Sequence, residues 1–281
     1  MLVNMKDILL DAQNNKYAIG LFNTIDTDAI EGAISAAERL SSPIILGTAE
    51  VLLCHGELQL IGPAMVNMAK RASVPVAIHY DHGLTYERCI EALKLGFSSI
   101  MYDCSTDSYE ENVKKVKAMA DIVHSYGATI EAELGHVGDN IDSQEGNSVL
   151  DDPSKFYTNP DMAKDFVERT GVDALAIAIG TAHGTYTCTP KLDIERLKEI
   201  QTKVDIPLVL HGGSGLSVVD LKNCIANGIS KVNIFTDIYA GAHQAIKECA
   251  GDYHETRRKK VQKIQDIVCE KIILFGSDGK A

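Results

Sequence analysis

Several things are missing from this chain of 281 residues, and each absence removes a class of protein. No apolar run approaches the roughly 18 residues that suggest a membrane-spanning helix. A surplus of positive charge is missing as well: 27 Lys and Arg stand against 39 Asp and Glu, a formal net charge of −12. Nucleic acids and anionic membranes are bound through clustered positive charge, so neither is an expected partner. The one basic run, Arg257 to Lys260, lies in a helical pattern and reads as a solvated face. The seven cysteines are odd in number, dispersed and without a Cys-x-x-Cys spacing, which suits reduced thiols in a cytoplasmic protein rather than a disulfide framework. The opening residues, MLVNMKDILLDAQNNK, are interrupted by polar side chains and lack a small-residue cleavage site, so they do not read as a signal peptide. No Pro-rich linker, low-complexity tract or clear repeat divides the chain.

What is present is ordinary globular material, 45% apolar and 23% charged, in the size range of about 250 residues typical of a single α/β barrel. Short β-branched runs alternate with longer segments of helical periodicity, the pattern of βα units and a parallel sheet. Eight such runs are expected as strands: 17–22, 43–48, 75–80, 98–102, 128–134, 174–180, 207–211 and 231–235. Gly96, Gly127, Gly171 and Gly228 each fall just past a helical segment, where glycine ends a helix cheaply. The expectation is one TIM (β/α)8 barrel domain over 1–281, with extra N-terminal (about 5–13) and C-terminal helices that close the barrel or pair it with a second copy. Residues 252–281 form the C-terminal helix and tail. The polar, aperiodic stretch within 136–157 is long for a βα loop and reads as a mobile lid.

A barrel enzyme builds its site at the C-terminal ends of its strands, and those ends are polar here. Asn23 follows the first run, Asp81 and His82 the third, Asp103 the fourth, Glu131 and Glu133 the fifth. His183 follows the sixth, His211 the seventh, and Asn233, Thr236 and Asp237 the eighth. Three histidines, His82, His183 and His211, thus converge from three strand ends, the ligand count of a catalytic zinc with an open position. Asp81 is the carboxylate placed to move a proton beside that metal. Neighbours on a strand point to opposite faces, so Asp81 and His82 share one site only if the chain turns, and Gly83 is the expected turn. The other histidines, His79 included, are expected to play no part, although His136 begins the lid near the mouth. The glycine loop Gly212-Gly213-Ser214-Gly215 and the neighbouring Asn233 to Asp237 stretch supply backbone N–H groups and hydroxyls suited to phosphate, in the two loops where barrels often bind it.

These residues resemble the metal-dependent class II ketose-bisphosphate aldolases, in particular the fructose- and tagatose-bisphosphate branch. The likeness spans nearly the whole chain. It rests on His-Tyr-Asp-His-Gly at 79–83, Glu-Ala-Glu-Leu-Gly at 131–135, Val-Asp-Ala-Leu-Ala-Ile-Ala-Ile-Gly-Thr-Ala-His-Gly at 172–184, His-Gly-Gly-Ser-Gly at 211–215 and Lys-Val-Asn-Ile-Phe-Thr-Asp at 231–237. The resemblance implies Zn2+ on His82, His183 and His211, a second or displaced divalent ion near Asp103 and Glu133, and Asp81 as the proton-transfer residue. It implies a dihydroxyacetone-phosphate site at Gly184, Gly212 to Ser214 and Asn233 to Thr236, with Na+ or K+ nearby. It also implies a cytoplasmic homodimer or homotetramer that reversibly cleaves a ketose phosphate, of the fructose 1,6- or tagatose 1,6-bisphosphate type, into dihydroxyacetone phosphate and an aldehyde.

The chain departs from that family where the aldehyde would bind. The family's lid motif Gly-Gly-x-Glu-Asp is here Gly138-Asp139-Asn140-Ile141-Asp142, which keeps only Asp142. The family's Asp-Pro-Arg before the last helix is Asp252-Tyr253-His254, leaving Arg257 or Arg258 as substitutes for the arginine that helps bind the second phosphate. A different dihydroxyacetone-phosphate adduct, or a non-catalytic sugar-phosphate-binding homologue, are the alternative readings. A barrel zinc hydrolase fits less well, because the first strand ends in Phe22-Asn23 rather than His-x-His. A Schiff-base aldolase would need a lysine at a strand end, whereas Lys231 is expected to begin its strand.

Overall fold

The computed structural model describes residues 1–138, 156–186 and 189–281. Eight parallel strands close into a barrel in chain order. They are β1 (Ile19–Asn23), β2 (Ile44–Ala49), β3 (Val76–Gly83), β4 (Ser99–Tyr102), β5 (Thr129–Leu134), β6 (Ala174–Ile177), β7 (Leu208–Leu210) and β8 (Ile229–Ile234). β1 pairs with both β2 and β8, which removes every sheet edge. The expected barrel is therefore the observed fold.

Around it lie α1 (Met5–Asn15), α2 (Thr27–Arg39), α3 (Leu58–Arg71), α4 (Tyr86–Leu95), α5 (Tyr109–Ser125), α6 (Pro160–Thr170), α7 (Ile194–Lys203), α8 (Val218–Ala226), α9 (Thr236–Lys247) and α10 (Tyr253–Phe275). Local chemistry sets many of their ends. Asp26, Asp193 and Ser217 each accept a backbone N–H of the first turn, while Gly96 and Gly171 end α4 and α6 with φ of 95° and 69°. The largest strand-boundary differences from expectation are that β6 stops at Ile177 rather than residue 180 and that β3 continues past Tyr80 to Gly83.

Alternation along the strands divides the apolar residues into two cores. Outward side chains such as Phe22, Leu46, Ile78, Tyr80, Ile130, Ile177, Leu210 and Val232 pack beneath the helices. Inward ones, Ile19, Leu21, Ile45, Ala77, Ala174, Ala176 and Val209, fill one end of the barrel together with Met5, Leu9 and Ala12 of α1. The N-terminal helix is thus a plug for the end opposite the site. α10 packs on α2 and α9. Among the described residues, no helix is long and apolar enough to cross a membrane.

Candidate active site

The last inward residues of β1, β3 and β8 are Asn23, Asp81 and Asn233, and all three line a cavity of about 280 Å³ at the C-terminal mouth. β3 delivers Asp81 by ordinary alternation from Ala77 and His79. His82 then takes φ = 41°, and the β3–β4 register shifts between Tyr80 and Gly83. This left-handed residue interrupts the alternation and brings His82 to the same cavity as Asp81. Such backbone is uncommon away from glycine and clusters at functional sites. The turn assigned to Gly83 thus belongs to His82. Gly83 serves close packing instead: a Cβ there would lie 2.5 Å from Cys89 Sγ and 2.8 Å from the Met101 carbonyl.

The three predicted histidines meet. Ring centroids of His82 lie 5.0 Å from His183 and 4.5 Å from His211, and each of the three rings offers a nitrogen within 4.8 Å of those of the other two. Carboxylates orient two of the rings. His82 Nδ1 lies 2.7 Å from Asp103 Oδ2, and His211 Nε2 lies 3.1 Å from Glu131 Oε1. Asp103 and Glu131 are ionised. Burial raises both carboxyls, but their cationic and hydrogen-bonding neighbours outweigh it, taking Glu131 down to about 2 and Asp103 well below its usual value. An ionised carboxylate can only accept, so the facing ring nitrogens carry the hydrogens. The opposite ring nitrogens, His82 Nε2 and His211 Nδ1, are buried and without a hydrogen-bond partner.

The site also calls for positive charge. His211 Nδ1 stands 3.0 Å from Glu133 Oε2, while Glu133 Oε1 accepts from the Val137 N–H. Burial opposes charging His211, yet the Glu131 and Glu133 carboxylates beside it raise it to about 10. Burial, with His82 and His211 nearby, lowers His183 to about 3. A proton or a metal cation at His211 Nδ1 satisfies the same electrostatic demand. Orphaned imidazole nitrogens beside carboxylates are the donor set of a divalent ion such as zinc, so the residues fit one. His82, Asp103 and Glu133 form a second group within 4.8 Å, matching the expected second position.

Asp81 is buried beside this group. Its Oδ2 accepts from Asn23 Nδ2 at 2.7 Å, and Asn233 Nδ2 lies 3.1 and 3.2 Å from its two oxygens. Burial raises its pKa, but His82, His79 and Lys231 hold it well below the ordinary value. Asn23 and Asn233 therefore orient the carboxylate, although both also line the cavity expected to hold phosphate. Gly47 must be glycine for this, since a Cβ would lie 2.6 Å from Asn23 Oδ1.

Gly184, Gly212, Ser214 and Thr236 line the opposite wall. Thr236 opens α9, whose N-cap residue Phe235 makes no side-chain cap, so the start of the helix faces the cavity at Thr236. Ser214 Oγ accepts from the Phe235 and Asp237 N–H groups, leaving its own hydrogen to donate. Two predicted phosphate residues do not face the cavity. The Gly213 N–H donates to the Asn233 carbonyl, and the Asp237 carboxylate is 2.5 Å from Lys271 Nζ.

Other expectations are corrected. His79 is fully buried inside the barrel, with Nε2 3.6 Å from Asp81 Oδ1. Lys231 does not begin its strand: it is the third residue of β8, buried against Glu131. Period-2 counting back from Asp81, Glu133 and Asn233 identifies His79, Glu131 and Lys231 as inward residues. Arg257 binds Asp28 at 2.8 Å and Glu31 at 2.6 Å, and with Arg258 it lines a surface groove outside the site. His136 does line the mouth, with Nδ1 3.9 Å from Glu133 Oε1. Ile141 and Asp142 of the expected lid lie outside the described residues.

Residues 3–280 match the family model for fructose-bisphosphate aldolase class-II. The chain is 41% identical over 272 residues to the uncharacterized protein YdjI of Escherichia coli strain K12, covering 96% of each. The crystal structure of the YdjI aldolase superposes with a TM-score of 0.91 at 39% identity over the whole of both chains. A fructose-bisphosphate aldolase from Campylobacter jejuni shares the fold, with a TM-score of 0.83 at 23% identity over 100% of this chain and 97% of that one. The chain belongs to the class II fructose-bisphosphate aldolase family.

Proposed function

We propose that this protein reversibly cleaves a ketose phosphate into dihydroxyacetone phosphate and an aldehyde, with His82, His183 and His211 holding a divalent ion, zinc first among the candidates. The observation that carries this reading is the placement of Asp81, held by Asn23 and Asn233, in the same cavity as the orphaned His82 Nε2. When bound, such an ion supplies Lewis-acid polarisation of the ketose carbonyl. Asp81, ionised and aimed by the two amides, takes the C4 hydroxyl proton as the C3–C4 bond breaks. The bond's electron pair stays on the dihydroxyacetone-phosphate half, the aldehyde leaves, and a proton taken up at C3 completes dihydroxyacetone phosphate. Gly184, Gly212, Ser214 and the start of α9 bind the phosphate. Condensation runs the same path in reverse.

The aldehyde partner is proposed to differ from glyceraldehyde 3-phosphate. Arg257 is engaged with α2, and the cavity wall beside His82 carries Ala49, Val51, Leu52 and Leu84, which offer no charge to a second phosphate. Assembly into a homodimer or homotetramer, and a Na+ or K+ ion near the phosphate site, belong to the same proposal. Deuterium exchange into dihydroxyacetone phosphate tests the reaction class: we expect exchange that chelators abolish and zinc restores. Exchange that survives complete metal removal overturns the metal-dependent reading. Steady-state assays with fructose and tagatose 1,6-bisphosphates test the partner, and cleavage of either at ordinary aldolase efficiency rejects an altered aldehyde.

A further inference from the structure

Beneath the imidazoles the barrel encloses a charged pair that no step above uses. Glu131 and Lys231 are each the third residue of their strand and fully buried. Lys231 Nζ lies 2.9 and 2.8 Å from the two Glu131 oxygens, and Glu131 Oε1 also faces His211 Nε2. Burying two charges costs desolvation that the attraction between them repays only in part, and apolar residues of like volume often serve stability as well. The geometry offers another role. With both oxygens anchored by Lys231, Glu131 presents a fixed acceptor to Nε2 and leaves Nδ1 as the open nitrogen, 3.0 Å from Glu133 Oε2. On the far side stands His79, its Nε2 3.9 Å from Glu131 Oε2 and 3.6 Å from Asp81 Oδ1, its Nδ1 2.7 Å from Ser99 Oγ.

We propose that Lys231 and Glu131 form a positioning unit that selects Nδ1 as the nitrogen through which His211 binds the metal. The inference rests on His211 being a ligand, as proposed above. It makes Lys231 matter through its demand for an acceptor, which gives a distinctive pattern of variants. In E131Q the amide oxygen is drawn to the Lys231 ammonium, so the amide NH2 faces His211 Nε2 and forces the ring hydrogen onto Nδ1. In E131Q/K231M that demand is gone, and the amide can turn its oxygen to His211.

Zinc affinity, measured by competition with a chromophoric chelator, is expected to fall roughly 10- to 100-fold in E131Q and to recover most of that loss in E131Q/K231M. Nitrogen-15 NMR of the zinc-loaded parent is expected to show His211 ligated through Nδ1 with its hydrogen on Nε2. Unchanged affinity in E131Q, or a double variant no better than the single one, overturns the proposal. So does a hydrogen on Nδ1 in the parent, a result that decides the matter even if E131Q does not fold. Failure of the parent to bind zinc instead overturns the metal-site reading itself.

Discussion

Along single strands of this barrel and just past their ends, the interior changes character in one inward step: Leu21 gives way to Asn23, Ala77 to His79, and Val209 to His211. At the closed end the inward residues are aliphatic and sealed by Met5, Leu9 and Ala12 of α1. At the open end they are Asp81, held by Asn23 and Asn233, and Glu131, Glu133, Lys231 and His211, paired with one another, all buried. Apolar burial is the dominant favourable term in folding, whereas buried charge brings a desolvation penalty that pairing only offsets. The closed end therefore carries stability and the open end carries chemistry, and the two should respond differently to substitution.

The largest contrast is expected from Asp81→Ala. Aldol cleavage should fall roughly 10²- to 10⁴-fold, the range for loss of a general base, with zinc affinity and the circular dichroism spectrum close to those of the parent. Loss of fold would show that the open end carries stability too, and so break the comparison. Next is Leu9→Ala, in the plug. Removing a buried leucine side chain costs about 2–5 kcal/mol, read as a lower urea midpoint, with turnover near that of the parent while the protein remains folded.

A smaller effect is expected at the rim of the closed end. Asp173 accepts from Lys6 Nζ, the Ile130 N–H and His124 Nε2 at 2.9, 3.0 and 2.8 Å. Burial pushes its carboxyl up, but these partners outweigh that and hold it below the ordinary value. A depressed carboxyl contributes stability above its unfolded-chain pKa, near 4, and loses it as pH falls through the folded value. Asp173→Asn should therefore cost about 1–2 kcal/mol at pH 7. The gap to the parent should begin to narrow as pH falls below about 4 in a series of thermal melts, with turnover unaffected at pH 7. A gap that does not narrow at all as pH falls below about 4 would assign the loss to packing rather than charge.

Much of this was legible before folding is considered. The eight β-branched runs announce the barrel, because inward and outward residues of a parallel barrel strand are both covered and the run reads as nearly continuous apolar sequence. The three histidines and Asp81 were legible because they sit at strand ends, where the fold collects function. His79 was set aside because an imidazole inside a strand looks like core, and it is fully buried. Only the inward step from His79 to Asp81, taken together with Glu131 across the barrel, shows that it borders the base. Asp237 was misplaced for the opposite reason: it follows a phosphate-like motif, yet its partner Lys271 is 34 residues away and brought near only by the packing of α10 on α9.

By itself, the sequence determined the alternation of strands and helices, the helix stops at Gly96 and Gly171, and which residue types reach the barrel mouth. These are local properties, set by period, propensity and backbone freedom over a few residues. Only the tertiary structure decided which nitrogens of His82 and His211 face carboxylates, that Asn23 and Asn233 hold Asp81, and that Lys231 belongs to Glu131, 100 residues earlier. It also placed the turn after Asp81 on His82 rather than Gly83. Closing the barrel brings groups distant in the chain to hydrogen-bonding distance, and there the cost of burying an unpaired charge dictates who pairs with whom.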